Sequence, residues 1–220
     1  MLLPQILRDI FCLPAHTTRG GDLGSRRAWP GVSRVSVLRH DFHHGLLAVP
    51  TSLEVYLVRH AVAAERGPEY PDDAVRPLTP DGVDRWRRAV AGLRQLQLGI
   101  EVVITSPFVR ARDTAEILCA GLRPKPRLVV AEVLAPGHRV ADAVALVAEY
   151  AAASKRPSRL ALVGHEPGLG EFAARLLGAK GTIEFKKGAV CRIDVDRAMP
   201  RGPGVLRWLL PPRVLRGAAR

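Results

Sequence analysis

From residue 53 onward, short apolar runs alternate with segments whose apolar residues recur at helical spacing. The apolar runs predict six strands, which are Leu53–Val58, Ile100–Thr105, Arg127–Ala131, Leu160–Gly164, Ala189–Val195 and Val205–Leu210. The helical spacing predicts helices at 81–96, 106–120, 139–153 and 168–177. Strands that alternate with helices indicate an α/β fold. We predict a three-layer α/β/α sandwich with a mostly parallel central sheet, closed by an antiparallel pair of strands.

Two pairs of a small hydroxyl residue and proline predict helix starts. Thr79-Pro80 and Ser106-Pro107 each place a capping hydroxyl before a proline that fits the first helical turn. We interpret Thr79 and Ser106 as helix caps. Trp86 lies at helical spacing with other apolar residues, and we expect it in the core.

The net charge of +12 arises from 33 basic and 21 acidic residues that are interleaved along the chain. Nucleic-acid binding favours a basic patch or stripe, so we predict no nucleic-acid partner. The charge reflects either a compositional use of arginine or long-range attraction of an acidic or phosphorylated partner. We expect Lys186 and Lys187 to be solvated.

The chain has no apolar stretch near the roughly 20 residues that span a bilayer. Arg8 and Asp9 interrupt its apolar start, which argues against a secretory signal peptide. Cys12, Cys119 and Cys191 are far apart and are interpreted as reduced thiols, with no disulfide and no zinc site. We expect a cytoplasmic protein without a membrane partner.

Residues 1–50 differ from the rest in being rich in glycine, arginine, histidine and proline without periodicity. We predict a disordered N-terminal extension, followed by one domain at residues 51–220. Apart from Asp41, the histidines at 40, 43 and 44 have no cysteine or carboxylate pair nearby that would complete a metal site. We interpret them as a solvated run.

Cationic and imidazole side chains follow the predicted strands. Arg59 and His60 end the first strand, His165 ends the fourth, and Arg110 lies near the start of the helix after the second. The carboxyl ends of parallel strands form the ligand-binding edge of such sheets, so we expect these four residues to converge.

These residue types fit phosphoryl chemistry. The arginine fork matches phosphate oxygens, and a neutral imidazole is a nucleophile if its other nitrogen donates to a carbonyl. The sequence has no phosphate-binding glycine loop and no set of residues with metal-ligand spacing. We therefore predict chemistry on protein groups alone, with no cofactor and no metal.

Four motifs in order resemble the histidine phosphatase superfamily (branch 1), and most of all its small SixA-type phosphohistidine phosphatases. They are Leu57-Val58-Arg59-His60-Ala61, Arg76-Pro77-Leu78-Thr79, Ser106-Pro107-Phe108-Val109-Arg110-Ala111 with Thr114, and Val163-Gly164-His165. The resemblance implies a phosphoglycerate-mutase-like fold and a metal-independent phosphatase. It also implies that His60 is the nucleophile that forms a phosphohistidine intermediate, that Arg59 and Arg110 clamp the phosphoryl oxygens, and that His165 completes the pocket. Many relatives carry glycine where this chain has Ala61.

The general acid is less well defined by the sequence. Glu132, at the end of a predicted strand, occupies a place that resembles that of the acid in mutase-like relatives, or else is an exposed or capping carboxylate. Glu65 and Glu166 are the other candidates. A departing imidazole demands less of an acid than an alkoxide does, so a weak acid favours a phosphohistidine substrate.

The predicted substrate is a phosphorylated protein, because little chain is available for a lid. Only 18 residues separate His60 from Thr79, and 54 separate Arg110 from His165. Enzymes that enclose small phosphosugars usually need covering loops. There are two alternatives. The protein is a phosphomonoesterase that acts on a small phosphorylated molecule, or it is a phospho-binding module without turnover.

Overall fold

The computed structural model describes residues 52–153, 157–197 and 203–219. The predictions for residues 1–50, including those for Cys12 and the histidines at 40, 43 and 44, lie outside the described residues. Within the described part, no helix is both long enough and apolar enough to cross a membrane.

Six strands form one sheet. They are β1 (Ser52–Arg59), β2 (Val102–Thr105), β3 (Arg127–Val130), β4 (Arg159–Gly164), β5 (Val190–Asp196) and β6 (Val205–Leu210), in the order β3-β2-β4-β1-β5-β6. The first four strands of that order are parallel to one another. β5 pairs antiparallel with β1, and β6 pairs antiparallel with β5. The mostly parallel sheet and its closing antiparallel pair are therefore confirmed.

Helices cover both faces of the sheet. They are α1 (Pro80–Gln95), α2 (Val109–Gly121), α3 (Val140–Ala152), α4 (Gly168–Leu176) and α5 (Pro212–Ala218), with short 3₁₀ turns at Asp73–Val75 and Glu132–Leu134. Buried side chains of α1, α2 and α5 form one core with the sheet, and those of α3 and α4 form the other. The three-layer sandwich is confirmed, whereas α5 was not predicted.

Successive residues of β1 enter opposite cores. Tyr56 and Val58 pack with α1 and α2, whereas Leu53, Val55 and Leu57 pack with α3 and α4. A parallel strand covered on both faces loses the alternation of polar and apolar residues and becomes continuously apolar. The buried part of β1 ends at Val58, and the chain leaves the sheet after the next residue, Arg59.

The two predicted helix caps have different outcomes. The Thr79 hydroxyl accepts a hydrogen bond from the Gly82 amide at 2.9 Å, so this prediction is confirmed. The prediction for Ser106 is wrong, because α2 begins at Val109 and the residue before it, Phe108, has an extended conformation (φ −62°, ψ 133°). The chain bends at Pro107 and Phe108, so Ser106 lies three residues before the helix and does not cap it. Its hydroxyl accepts from the Phe108 amide at 3.3 Å and lies 2.8 Å from His165 Nε2.

Candidate active site

The sheet brings His60 and His165 together. β1 and β4 are parallel neighbours with Arg59 opposite Gly164, so the residue after each strand is a histidine at the same edge. The centroids of the two imidazole rings are 5.1 Å apart. Both residues are buried, with 5% and 6% of their surface exposed. The predicted convergence of these two side chains is confirmed.

The His60 ring has one defined hydrogen bond. Its Nδ1 lies 2.7 Å from the carbonyl oxygen of Ala61. A carbonyl only accepts, so Nδ1 carries the hydrogen and the neutral ring keeps its lone pair on Nε2. Burial lowers the pKa of His60 to about 4, helped by the charges of Arg110 and Arg59 and opposed by the Ala61 hydrogen bond. His60 is therefore neutral at pH 7.

Thr114 ties the end of β1 to α2. Its hydroxyl donates to the Arg110 carbonyl oxygen at 2.6 Å and accepts from the Ala61 amide at 3.0 Å. Its own carbonyl accepts from the Trp86 indole at 2.8 Å. The core position predicted for Trp86 is confirmed, with 1% of its surface exposed. The sequence motif contained Thr114 but did not disclose that it holds the segment after His60.

Arg110 is the second residue of α2 and is 2% exposed. Its Nη1 donates to the Asp73 carbonyl oxygen at 2.7 Å, and its Nη2 donates to the Asp73 carboxylate at 2.8 Å. Sequence reasoning missed Asp73. The contact between Asp73 and Arg110 spans 37 residues, so it leaves no local pattern in the sequence. The only local signal was a carboxylate shortly before the Arg76-Pro77 motif.

Asp73 binds two further arginines. Its carboxylate accepts from Arg66 Nε at 2.9 Å and from Arg76 Nε at 3.0 Å. Partial burial opposes ionisation of this carboxyl, but the hydrogen bonds from Arg66 and Arg110 outweigh it and lower its pKa to about 2. An ionised Asp73 thus connects the segment between β1 and α1 to the site.

The second histidine is held by a hydroxyl and an aromatic ring. His165 Nε2 lies 2.8 Å from Ser106 Oγ, and the Phe108 ring meets the imidazole nearly edge-on at 5.3 Å. Burial, together with the neighbouring His60 and Arg110, lowers the pKa of His165 to about 3. His165 is therefore neutral at pH 7.

Three nitrogen atoms of the predicted site are buried without a hydrogen-bond partner among the described residues. They are Arg59 Nε, Arg110 Nε and His165 Nδ1. Buried polar atoms are nearly always paired, so an unpaired set calls for an explanation. The oxygens of a phosphoryl group bound between these side chains would supply acceptors. Arg59 also donates a hydrogen bond from its Nη1 to the Phe185 carbonyl oxygen.

The structure separates the three candidate acids. Glu166 accepts hydrogen bonds from the amides of Phe185 at 2.9 Å and Gly170 at 3.2 Å, which ties two segments together. Glu65 is exposed. Glu132 is also exposed and follows β3, with β2 and β4 lying between it and β1. Its carboxylate makes no hydrogen bond or ion pair with the described residues. The role of Glu132 stays a prediction.

The central sheet is mostly parallel, and helices cover both of its faces. Its neighbouring strands β1 and β4 are each followed by a histidine. These features define a phosphoglycerate-mutase-like α/β protein. The family model for the histidine phosphatase superfamily (branch 1) matches residues 55–135. An uncharacterized protein from Picosynechococcus sp. is 36% identical over 173 residues, which cover 72% of this chain and 100% of that protein. The chain belongs to the histidine phosphatase superfamily (branch 1), and it is a phosphatase.

Other relatives confirm the resemblance to the SixA type. The phosphohistidine phosphatase SixA of Escherichia coli strain K12 is 29% identical over 164 residues, covering 73% of this chain and 94% of SixA. A structure of the protein histidine phosphatase SixA complexed with tungstate has a TM-score of 0.65 at 27% identity, covering 73% of this chain and 98% of that one. A phosphoglycerate mutase from Plasmodium falciparum, at 19% identity and a TM-score of 0.52, shares the fold.

Proposed function

We propose that this phosphatase hydrolyses phosphohistidine on a protein through a covalent intermediate on His60. The observation that carries the proposal is the 2.7 Å hydrogen bond from His60 Nδ1 to the Ala61 carbonyl oxygen. It fixes the hydrogen on Nδ1 and leaves the Nε2 lone pair for attack. The low pKa of His60 keeps that lone pair free at neutral pH.

In the first step, His60 Nε2 attacks the phosphorus of the substrate in line with the leaving nitrogen. The new P–N bond forms as the substrate P–N bond breaks, and the leaving imidazole takes the electron pair and a proton. Glu132 is the predicted proton donor. In the second step, water attacks phosphorus and the bond between phosphorus and His60 Nε2 breaks. The attacking water releases its proton, inorganic phosphate departs, and His60 is neutral again.

Positive charge and hydrogen-bond donors stabilise the phosphoryl oxygens during both steps. Arg59 and Arg110 supply two guanidinium groups, and each has an Nε without a partner among the described residues that can donate to an oxygen. If the Ser106 hydroxyl donates to His165 Nε2, the hydrogen of this ring sits on the unpaired Nδ1, which then donates to the same group. Such preorganised donors supply most of the catalysis in phosphoryl transfer.

Two observations support this substrate class. The E. coli relative is a phosphohistidine phosphatase, and the related SixA structure contains tungstate, a tetrahedral oxyanion with the shape of phosphate. A phosphohistidine also suits a site in which no carboxylic acid contacts His60 among the described residues, because its leaving nitrogen is readily expelled.

Trapping the phosphoenzyme tests the nucleophile. The enzyme would be mixed with a protein carrying ³²P-phosphohistidine and denatured within milliseconds, and the labelled enzyme would then be tested for loss of its label in acid. We expect an acid-labile label on the wild type and on the control His138→Ala, whose histidine is exposed. We expect none on His60→Ala. Label on His60→Ala, or binding of phosphate without label on the wild type, would overturn the mechanism.

A comparison of substrates tests the substrate class. The value of kcat/KM would be measured on a phosphohistidine protein, on phosphoramidate and on a sugar phosphate, each with and without a chelator. We expect the phosphohistidine protein to be preferred and the chelator to have no effect. A preference for the sugar phosphate by orders of magnitude would instead support a small-molecule phosphomonoesterase.

We also propose that residues 51–220 form the phosphatase domain. Every residue given a role in the proposed reaction lies within residues 59–165, and the family match covers residues 55–135. A protein that begins at residue 51 should therefore keep the kcat/KM of the full chain. A sharp fall in activity or melting temperature on removal of residues 1–50 would contradict this.

A further inference from the structure

A small cavity lies beside His60. It has a volume of about 220 Å³ and is bounded by Ala61, by Trp86 of α1, by Gly188 and by Pro212 of α5. This volume is below the roughly 300–1,000 Å³ of typical small-molecule pockets, so it suits one side chain. None of the chemistry described above uses this cavity.

Three basic residues, Arg85, Lys187 and Arg216, line the cavity, and no acidic residue does so among those described. Arg85 is paired with the neighbouring Asp81, at 2.7 Å between Nε and Oδ2. The side chains of Lys187 and Arg216 have no hydrogen bond or ion pair with the described residues. Lys187 and Arg216 therefore give the cavity a positive charge that no acidic side chain among the described residues balances.

The cavity shares a wall with the catalytic centre. Ala61 lines it and also accepts the hydrogen bond from His60 Nδ1. The Gly188 amide, at another wall, donates to the carbonyl oxygens of Arg59 at 3.1 Å and His60 at 3.0 Å. Lys187 is close enough for its charge to contribute to the lowered pKa of His60. The cavity is therefore adjacent to the segment that carries His60.

The shape of the cavity depends on two glycines. A Cβ on Gly82 would lie 2.1 Å from the Val62 carbonyl oxygen, so α1 packs directly on the segment after His60. Gly188 has φ +78°, and a Cβ there would lie 3.6 Å from both Trp86 and Pro212. The close backbone contact at Gly82 and the positive φ of Gly188 therefore fix two parts of the cavity wall.

We propose that this cavity binds a carboxylate side chain of the protein that presents the phosphohistidine. The proposal rests on the proposed function and names a second contact for the same substrate. Arginine forks match the two oxygens of a carboxylate, and an acidic partner is also favoured by the net charge of +12. The cavity thereby selects among phosphohistidine proteins by the acidic residues near the modified histidine.

The experiment uses the full chain and synthetic phosphohistidine peptides. One glutamate is placed at each position from one to four residues on either side of the phosphohistidine, and each peptide has a matched glutamine version. We expect at least one glutamate position to raise kcat/KM about five-fold over its glutamine match. The preference should shrink in 1 M salt, where the Debye length falls to about 3 Å.

Variants on α5 locate the effect. Arg216→Gln should reduce the glutamate preference to less than two-fold. The control Arg213→Gln changes an exposed arginine of the same helix that does not line the cavity, and it should keep the preference. An equal loss in both variants would mean that the overall charge, rather than this cavity, attracts the substrate, and would overturn the proposal.

Two other results separate the two proposals. Equal turnover of every glutamate and glutamine pair by the wild type would overturn the carboxylate site and leave the proposed function intact. Turnover of p-nitrophenyl phosphate without turnover of any phosphohistidine peptide would overturn the proposed function, and with it the protein carboxylate as the occupant of the cavity.

Discussion

Both terminal nitrogens of Arg110 donate hydrogen bonds to one residue, Asp73, at 2.7 Å to its carbonyl oxygen and 2.8 Å to its carboxylate. The 3₁₀ turn that carries Asp73 lies between β1 and α1, a segment that the sequence indicated only as too short for a lid. The turn instead fixes the orientation of a guanidinium in the site. A fixed arginine needs no reorganisation when charge develops on the substrate.

Replacing Asp73 should therefore slow catalysis without abolishing it. Asp73→Asn keeps the size of the side chain and removes its charge, which weakens the ionic hydrogen bond to Arg110 Nη2. We expect kcat to fall about ten-fold with a smaller change in KM, because the role proposed for Arg110 is to stabilise the transition state. Steady-state kinetics on a phosphohistidine protein would measure both values.

The neighbouring Asp72 provides a matched control. Its carboxylate caps the same turn by accepting from the Ala74 amide at 2.9 Å and does not contact Arg110. Asparagine is an equally good cap, so Asp72→Asn should keep the activity of the wild type. Faster turnover in Asp73→Asn would mean that Asp73 competes with the phosphoryl group for Arg110, which contradicts a positioning role.

Removing the Arg110 side chain should have a larger effect on rate than on stability. We expect Arg110→Ala to lower kcat by roughly 10² to 10³, the usual loss when one transition-state donor is removed. Circular dichroism and a melting curve would establish whether the variant is folded. Unfolding of Arg110→Ala at room temperature would assign Arg110 a structural role.

Much of the fold could be predicted because its signals are local. Buried parallel strands are continuously apolar, and Thr79-Pro80 marks the start of α1. By contrast, α5 is only seven residues long and follows β6 after one residue, so it leaves no measurable period. Ser106-Pro107 has the same local pattern as Thr79-Pro80, and only the extended conformation of Phe108 distinguishes the two.

The candidate site could be predicted in part for the same reason. His60 and His165 end apolar strands, so the rule that ligands bind at strand ends found them. Asp73, Ser106 and Thr114 act on residues 37, 59 and 53 positions away, and their types are common in turns and caps. Their roles depend on which strands become neighbours, and this is decided by the packing of the whole sheet.

Ser106 should matter through His165. Its hydroxyl lies 2.8 Å from His165 Nε2, so Ser106→Ala frees the ring to rotate and to change its tautomer. We expect kcat to fall about ten- to a hundred-fold, the same range as for loss of a group that orients a metal-bound histidine. Nitrogen-15 NMR of the imidazole would report the tautomer directly.

Thr105→Val is the control for Ser106→Ala. It removes another buried hydroxyl from the same strand end, one that donates to the Ser106 carbonyl oxygen and not to His165. Its kcat should stay within about three-fold of the wild type. If both variants lose activity equally, the loss arises from repacking of this strand end and not from the hydrogen bond to His165.

The pH dependence should reflect the lowered pKa of His60. A free histidine is half protonated near pH 6.5, whereas His60 has a pKa of about 4, so the neutral form of this proposed nucleophile persists down to about pH 5. We expect kcat/KM, which reports the free enzyme, to stay level with respect to His60 between pH 7 and pH 5 and to fall below it. A fall centred near pH 6.5 would contradict a buried neutral His60.

The same pKa values affect stability. Between about pH 6.5 and pH 4 the unfolded chain binds protons at His60 and His165 that the folded chain does not, so the free energy of unfolding should decrease as the pH falls. Urea unfolding at pH 7 and pH 5 would measure the decrease. It should be smaller in His165→Gln, which lacks one of the two groups, than in the control His138→Gln.

Gly92 tests the packing of α1 against α5. Glycine in a helix is usually less stable than alanine by about 1 kcal/mol, so Gly92→Ala would be expected to stabilise an isolated helix. Here the new Cβ would lie 1.9 Å from the Leu215 carbonyl oxygen, which belongs to the backbone of α5 and cannot rotate away. We therefore expect Gly92→Ala to lower the free energy of unfolding by about 1–3 kcal/mol.

The control for Gly92→Ala is Gly168→Ala at the start of α4, where a Cβ would meet nothing within 4 Å. This variant should change the free energy of unfolding by less than about 0.5 kcal/mol, as surface substitutions usually do. Because Arg216 follows Leu215 in α5, a helix displaced by Gly92→Ala should also weaken the preference for glutamate peptides. A stabilised Gly92→Ala protein would mean that the two helices do not approach this closely in solution.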